Sequence, residues 1–90
     1  MADKGKVCVV GMWHQGAVIS ACLADLGFGV IGVDIDPLRI ENLGRGKAPL
    51  FEPGLDTLLK KCIDQGSLFF TTDMSVALKD SHYIIVAFDT

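Results

Sequence analysis

Ninety residues, half of them apolar, suffice for one small domain with its own core. A formal net charge of −3 removes the basic face that nucleic acid requires, so no nucleic acid partner is expected. No apolar run reaches the length of a membrane span, and Met1-Ala2-Asp3-Lys4-Gly5-Lys6 leads straight into a strand, so neither a membrane partner nor a signal peptide is expected.

Cys8, Cys22 and Cys62 are odd in number, widely spaced and set in apolar runs. They read as small buried hydrophobes in a reducing, cytoplasmic setting rather than as disulfide or zinc partners.

Lys6 to Val10 is rich in β-branched residues and continuous, as a strand covered on both faces should be. From His14 to Leu26 the pattern becomes helical: Val18, Ile19, Cys22, Leu23 and Leu26 recur at spacings of three and four, and Ala17, Ala21 and Ala24 let the helix approach a sheet closely. Gly27 is a natural C-terminal cap. Phe28 to Val33 forms a second strand. Asp36-Pro37 opens a short helix, as cap and first residue, that Gly44 closes. After the loop Gly46-Lys47-Ala48-Pro49-Leu50, Glu52-Pro53 starts a third helix with an apolar stripe of Leu55, Leu58, Leu59, Cys62 and Ile63. Gly66 ends it. Leu68 to Thr71 is a third strand, Thr72 or Asp73 caps a last short helix through Leu78, and Tyr83 to Phe88 is a fourth strand. The order β-α-β-α-α-β-α-β predicts an α/β fold: a partial Rossmann-like, doubly wound parallel sheet of about four strands in order 3-2-1-4, with helices on both faces. Such a domain normally has six strands, so residues 1–90 are expected to be the N-terminal part of one.

The first strand runs into Gly11-Met12-Trp13-His14-Gln15-Gly16, and the second ends in Asp34, eighteen residues after Gly16. This is the layout of a dinucleotide-binding βαβ unit, except that Trp13 replaces the middle glycine of G-x-G-x-x-G. Gly11 permits the tight turn and Gly16 lets the helix pack on the strand, which leaves first-turn N–H groups to face a diphosphate. A packing-driven turn without ligand is the bland alternative. Asp34 is placed to accept hydrogen bonds from adenosine ribose hydroxyls and to repel a 2′-phosphate, favouring NAD over NADP. Its alternative role, helix capping, suits Asp36 better. His14 lies in the first helical turn, where a cation is disfavoured unless an anion is near, so it reads either as a solvated polar residue or as a phosphate neighbour. His82 reads as a surface residue.

With these elements in place, the chain resembles the N-terminal domain of the UDP-glucose/GDP-mannose dehydrogenase family. Four segments carry the resemblance in order: the Gly11–Gly16 turn, Gly32-Val33-Asp34-Ile35-Asp36, Phe51-Glu52-Pro53-Gly54-Leu55, and Thr71-Thr72-Asp73 leading to Ile84-Ile85-Val86-Ala87-Phe88-Asp89-Thr90. The resemblance implies NAD as cofactor and a parent enzyme, cytoplasmic and active in polysaccharide biosynthesis, that oxidises the C6 alcohol of a sugar nucleotide to a carboxylate. It places the family's catalytic cysteine, lysine and glutamates outside these ninety residues, matching none of Cys8, Cys22 or Cys62, so no catalytic residue and no metal site is expected here. The implied cofactor contacts are Gly11, Met12, Trp13, His14, Gln15, Gly16, Asp34, Arg39 and Thr90. Arg39 falls at a basic position near the adenosine, with an exposed helix charge as the alternative. Thr90 falls near the nicotinamide half, with Asp89 in place of the family's proline. Glu52 lies on the cofactor side of the active site or is simply a helix start.

Trp13 is the departure from the family pattern. Its indole either blocks the cofactor, tilts it, rotates outward to cover it, or packs against another part of the domain. The expectation is that it points out of the turn and leaves space for a phosphate beneath. Two other functions compete with the leading one: a non-catalytic Rossmann-like domain used for protein association, and another NAD enzyme such as a 3-hydroxyacid dehydrogenase. Finally, the apolar Tyr83–Phe88 strand at the sheet edge is expected to drive self-association.

Overall fold

The computed structural model of the chain describes residues 4–87. In chain order these form β1 (Lys6–Val10), α1 (His14–Asp25), β2 (Gly29–Val33), α2 (Pro37–Gly44), α3 (Leu55–Asp64), β3 (Leu68–Thr71), α4 (Met74–Leu78) and β4 (Tyr83–Val86). The sheet has the order β3-β2-β1-β4. Every pairing is parallel, with Val7 opposite both Val30 of β2 and Tyr83 of β4. The fold expected from the alternation of apolar strands and helices is the fold observed.

Side chains alternate across the pleat, so the inner strands β1 and β2 feed two cores. Val7, Val9 and Val30 join Ala17, Ala21 and Ala24 of α1, Leu43 of α2 and Leu55, Leu59 and Cys62 of α3 in the larger one. Cys8 and Val33, with Val10 and Ile31 beside them, pack on Ala77 of α4 in the smaller one. Three helices thus cover one face and the short α4 covers part of the other.

The face that α1 presents to the sheet differs from the stripe of larger residues. Gly16, Ala17, Ser20, Ala21 and Ala24 are the buried positions. Val18, Ile19 and Cys22 turn instead to the flank, where they line an open groove with Leu55 and Leu58. Leu26 is 58% exposed. The reason is distance: a β-carbon built on Gly16 would lie 1.7 Å from the Gly11 carbonyl oxygen, so the contact face tolerates only small residues. As a result Cys22 is exposed, contrary to its expected burial, whereas Cys8 and Cys62 are buried. Burial pushes the thiols of Cys8 and Cys62 up from their ordinary pKa.

Two boundaries also shift. Helix α3 starts at Leu55 rather than at Glu52-Pro53, because its N-cap Gly54 adopts the left-handed conformation at φ 83° and the Leu55 N–H closes a turn on the Glu52 carbonyl. The fourth strand is regular over Tyr83–Val86; Ala87, expected within it, falls just past its end although its N–H still bonds the Val10 carbonyl, and Phe88 lies outside the described residues. The caps hold as expected: Asp36 accepts from Leu38 and Arg39 N–H to start α2, and Asp73 accepts from Ser75 and Val76 N–H to start α4. The exposed His82 also has a capping role, its Nδ1 accepting the Lys6 N–H at 2.9 Å.

Since the Gly16–Gly11 approach is backbone against backbone, no rotamer change relieves it. Gly16→Ala is expected to destabilise the domain by about 3 kcal/mol or more, read as a lowered midpoint in urea unfolding followed by circular dichroism. A neutral Gly16→Ala would mean that α1 does not sit on the turn as described.

Candidate functional site

The turn between β1 and α1 is shaped by three residues with distinct tasks. Gly11 takes φ 98°, a conformation that only glycine holds without strain, and its N–H donates to the Val33 carbonyl at 2.9 Å. Met12 is fully buried. Its thioether accepts the Ser20 hydroxyl and lies where a β-carbon on Gly32 would come within 2.6 Å. Met12 therefore faces the core, and its N–H donates to Asp34 Oδ2 at 2.8 Å. Trp13 is the N-cap of α1, at φ −75° and ψ −159°, an extended conformation open to any residue. Backbone geometry therefore does not call for glycine at position 13; the usual glycine there serves ligand approach.

The first turn of any helix leaves N–H groups without an intrahelical acceptor and carries partial positive charge. In α1 the cap makes no side-chain hydrogen bond to that turn, and no acidic residue stands in it.

Asp34, immediately after β2, is the hub of the site. Oδ2 accepts from Met12 N–H and from Arg39 Nη1 at 3.2 Å, and Oδ1 accepts the Asp36 N–H at 3.0 Å. Its side chain is 11% exposed. Burial pushes this carboxyl up, but the two backbone N–H groups and the Arg39 guanidinium together outweigh it and hold the pKa below the ordinary carboxylate value. Asp34 is thus an anion at neutral pH, fixed in orientation by three donors and still able to accept from a hydroxyl.

Arg39, on the first turn of α2, reaches Asp34 and also stands 3.7 Å from Asp36 Oδ2. Its guanidinium carbon lies 4.8 Å from the centre of the Trp13 ring. The indole thus leans toward α2. It borders a pocket of about 390 Å³ shared with Asp36, Arg39, Asn42, Lys47 and Pro49. Trp13 is neither packed into the turn nor free in solvent.

His14 is not a solvated residue: Nε2 pairs with Glu52 Oε1 at 3.1 Å, and Nδ1 is buried without a hydrogen-bond partner. This pair ties the start of α1 to the loop before α3, at one end of an open apolar groove of about 570 Å³ that also includes Gln15, Val18 and Leu58. The groove runs along the flank of α1, and neither Asp34 nor Arg39 borders it. Of the sequence-predicted contacts, Gly11 to Gly16, Asp34 and Arg39 converge on one end of the sheet, and Glu52 joins them through His14. Thr90 lies outside the described residues. The tie from Asp36 to Arg39 and the Lys47 and Asn42 lining were not foreseen. Gly32 supports the site as well, and a glycine inside an apolar strand is itself a sequence signal of such a close approach.

A depressed carboxylate contributes stability that is present above the ordinary carboxylate range and is lost as pH falls through its lowered pKa. Asp34→Asn is therefore expected to lower the thermal midpoint at neutral pH, with the gap to wild type closing in acid. A gap independent of pH would show that the Asp34 charge is not engaged as described.

A parallel βαβ unit with a glycine turn at a helix start and a fixed carboxylate at the next strand end defines a dinucleotide-binding domain. Comparison with known proteins narrows the class. The family model described as "UDP-glucose/GDP-mannose dehydrogenase family, NAD binding domain" matches residues 5–90, and the chain belongs to that family as its NAD-binding domain. GDP-mannose 6-dehydrogenase of Pseudomonas savastanoi pv. phaseolicola is 36% identical over 85 residues, 94% of this chain and 19% of that protein. UDP-glucose 6-dehydrogenase of Rhizobium meliloti is 38% identical over the same share of this chain and 20% of its own length. Among solved structures, the ternary complex of GDP-mannose dehydrogenase from Pseudomonas aeruginosa superposes with a TM-score of 0.89 at 37% identity, over 93% of this chain and 19% of that one. The chain thus spans about a fifth of the length of these relatives. Among the described residues, no helix is long and apolar enough to cross a membrane.

Proposed function

We propose that this chain holds NAD for a nucleotide-sugar 6-dehydrogenase of the UDP-glucose or GDP-mannose type, with the adenosine beside Asp34 and Arg39 and the diphosphate over residues 12–16. The observation that carries this reading is the ionised, three-point-anchored Asp34 carboxylate beside the start of α1, whose first turn holds no acidic residue of its own. Ribose hydroxyls are neutral donors that such a carboxylate accepts, whereas a 2′-phosphate is repelled. NAD supplies the hydride acceptor; residues 11–16, Asp34 and Arg39 bind and orient it, and Thr90 belongs to its nicotinamide end. The catalytic groups and the sugar-nucleotide site belong to segments outside residues 1–90, so these residues bind cofactor without performing the oxidation. The relatives' names, GDP-mannose and UDP-glucose 6-dehydrogenase, support the substrate class. The free cysteines, two of them buried, suit a reducing cytoplasm.

Calorimetric titration is expected to show NADH binding more tightly than NADPH, and Asp34→Ala to erode that preference by weakening NADH about tenfold, as loss of a charged hydrogen-bond acceptor does. Equal binding of both by the wild type would overturn the Asp34 assignment.

Self-association forms part of the same proposal. Strand β4 is an outer strand of the sheet, and Tyr83, Ile84 and Val86 are each more than half exposed. Apolar burial stabilises by roughly 25 cal/mol per Å², so pairing two such edges is favourable before association costs. The ninety-residue chain is expected to shift from monomer to dimer across a dilution series in size-exclusion chromatography with light scattering. A monomer at the highest concentration would refute the pairing.

A further inference from the structure

We propose that Trp13 is a positioning residue for nucleotide selectivity: by stacking on Arg39 it keeps that guanidinium on the Asp34 and Asp36 carboxylates and withholds it from a 2′-phosphate. This rests on the cofactor reading above.

Arg39 is the group in this site best suited to accept a 2′-phosphate. It adjoins the carboxylate expected to read the 2′-hydroxyl, and a guanidinium matches phosphate oxygens with paired donors. Lys47 lines the same pocket of about 390 Å³, so a second cation stands near. Arg39 is nevertheless committed elsewhere. Its Nη1 is 3.2 Å from Asp34, its Nη2 is 3.7 Å from Asp36, and the indole lies against its face at 4.8 Å. Ion pairs at 3.2 and 3.7 Å fix only the tip of a long, flexible side chain, which stays 27% exposed even with the indole beside it. The stack removes that freedom, because the guanidinium cannot turn toward a phosphate without leaving the ring. A glycine at position 13 has no side chain to do this. The indole thus compensates electrostatically at the position where it departs from the glycine pattern, holding Arg39 so that it neutralises Asp34 without recruiting a competing anion.

The test is a double-mutant cycle on the ratio of NADPH to NADH affinity, measured by calorimetric titration of wild type, W13A, R39A and W13A/R39A. W13A is expected to shift the ratio toward NADPH by about three- to tenfold, the range corresponding to loss of one cation–π contact. W13F, which keeps an aromatic face, is expected to restore most of the wild-type ratio. In the R39A background the same Trp13 change is expected to leave the ratio unmoved, because the effect travels through Arg39. A merely structural Trp13 would weaken both nucleotides equally in W13A, and that outcome overturns the inference, as does a W13A shift that persists without Arg39. Failure of the cofactor reading looks different: wild type binds neither nucleotide. Wild type that prefers NADH together with an unchanged ratio in W13A refutes the role of Trp13 alone.

Discussion

The close approach of α1 to the turn that precedes it governs everything else in this domain. With the Gly11 carbonyl oxygen standing where a Gly16 β-carbon would be, the helix can dock only through glycine, alanine and serine. That docking directs Met12 inward. Met12 in turn demands the absence of a side chain at Gly32, because its sulfur and the Phe70 ring occupy that space. Gly11, Gly16 and Gly32 thus serve one packing constraint, and the start of α1 stands at one end of the sheet as its consequence.

The same constraint places Asp34. Once Met12 is buried, its N–H points at the end of β2, and the Asp34 carboxylate accepts it. Two further donors, the Asp36 N–H and the Arg39 guanidinium, complete the anchoring. A carboxylate held by three donors keeps its charge despite burial, and it joins the β1 turn, the end of β2 and the start of α2 into one rigid corner. The site is therefore continuous with the packing of the fold.

Trp13 shows how a departure from a motif is absorbed. The position has ordinary extended dihedrals, so a large residue costs the backbone nothing. The indole finds its partner on α2 rather than in the turn. His14 and Glu52 form a second tie across the same end, linking α1 to the loop before α3. The start of α1 is therefore braced on both flanks by side-chain pairs of its own, one toward α2 and one toward α3.

Strand order, parallel pairing, the caps at Asp36 and Asp73 and the convergence of the Gly11–Gly16 turn with Asp34 were all legible in the sequence. The elements and caps depend on local chemistry (strand apolarity, helix periodicity, an acid at a helix start, a glycine that takes positive φ), and the strand order and the meeting of the turn with Asp34 follow from those elements through the right-handed crossover of parallel strands. What the sequence could not reveal is which of two helix faces wins. Val18, Ile19 and Cys22 outweigh the alanines in apolarity, yet the alanine face meets the sheet, because the interaxial distance was set elsewhere, by Gly11 and Gly16. The pairing of His14 with Glu52, 38 positions apart, and the stacking of Trp13 on Arg39 likewise join residues from different elements, which no local pattern encodes. Sequence alone determined the elements and the dinucleotide-binding corner. Only the tertiary structure decided where Trp13 points and what holds Arg39, because both depend on the distance and angle between α1 and α2.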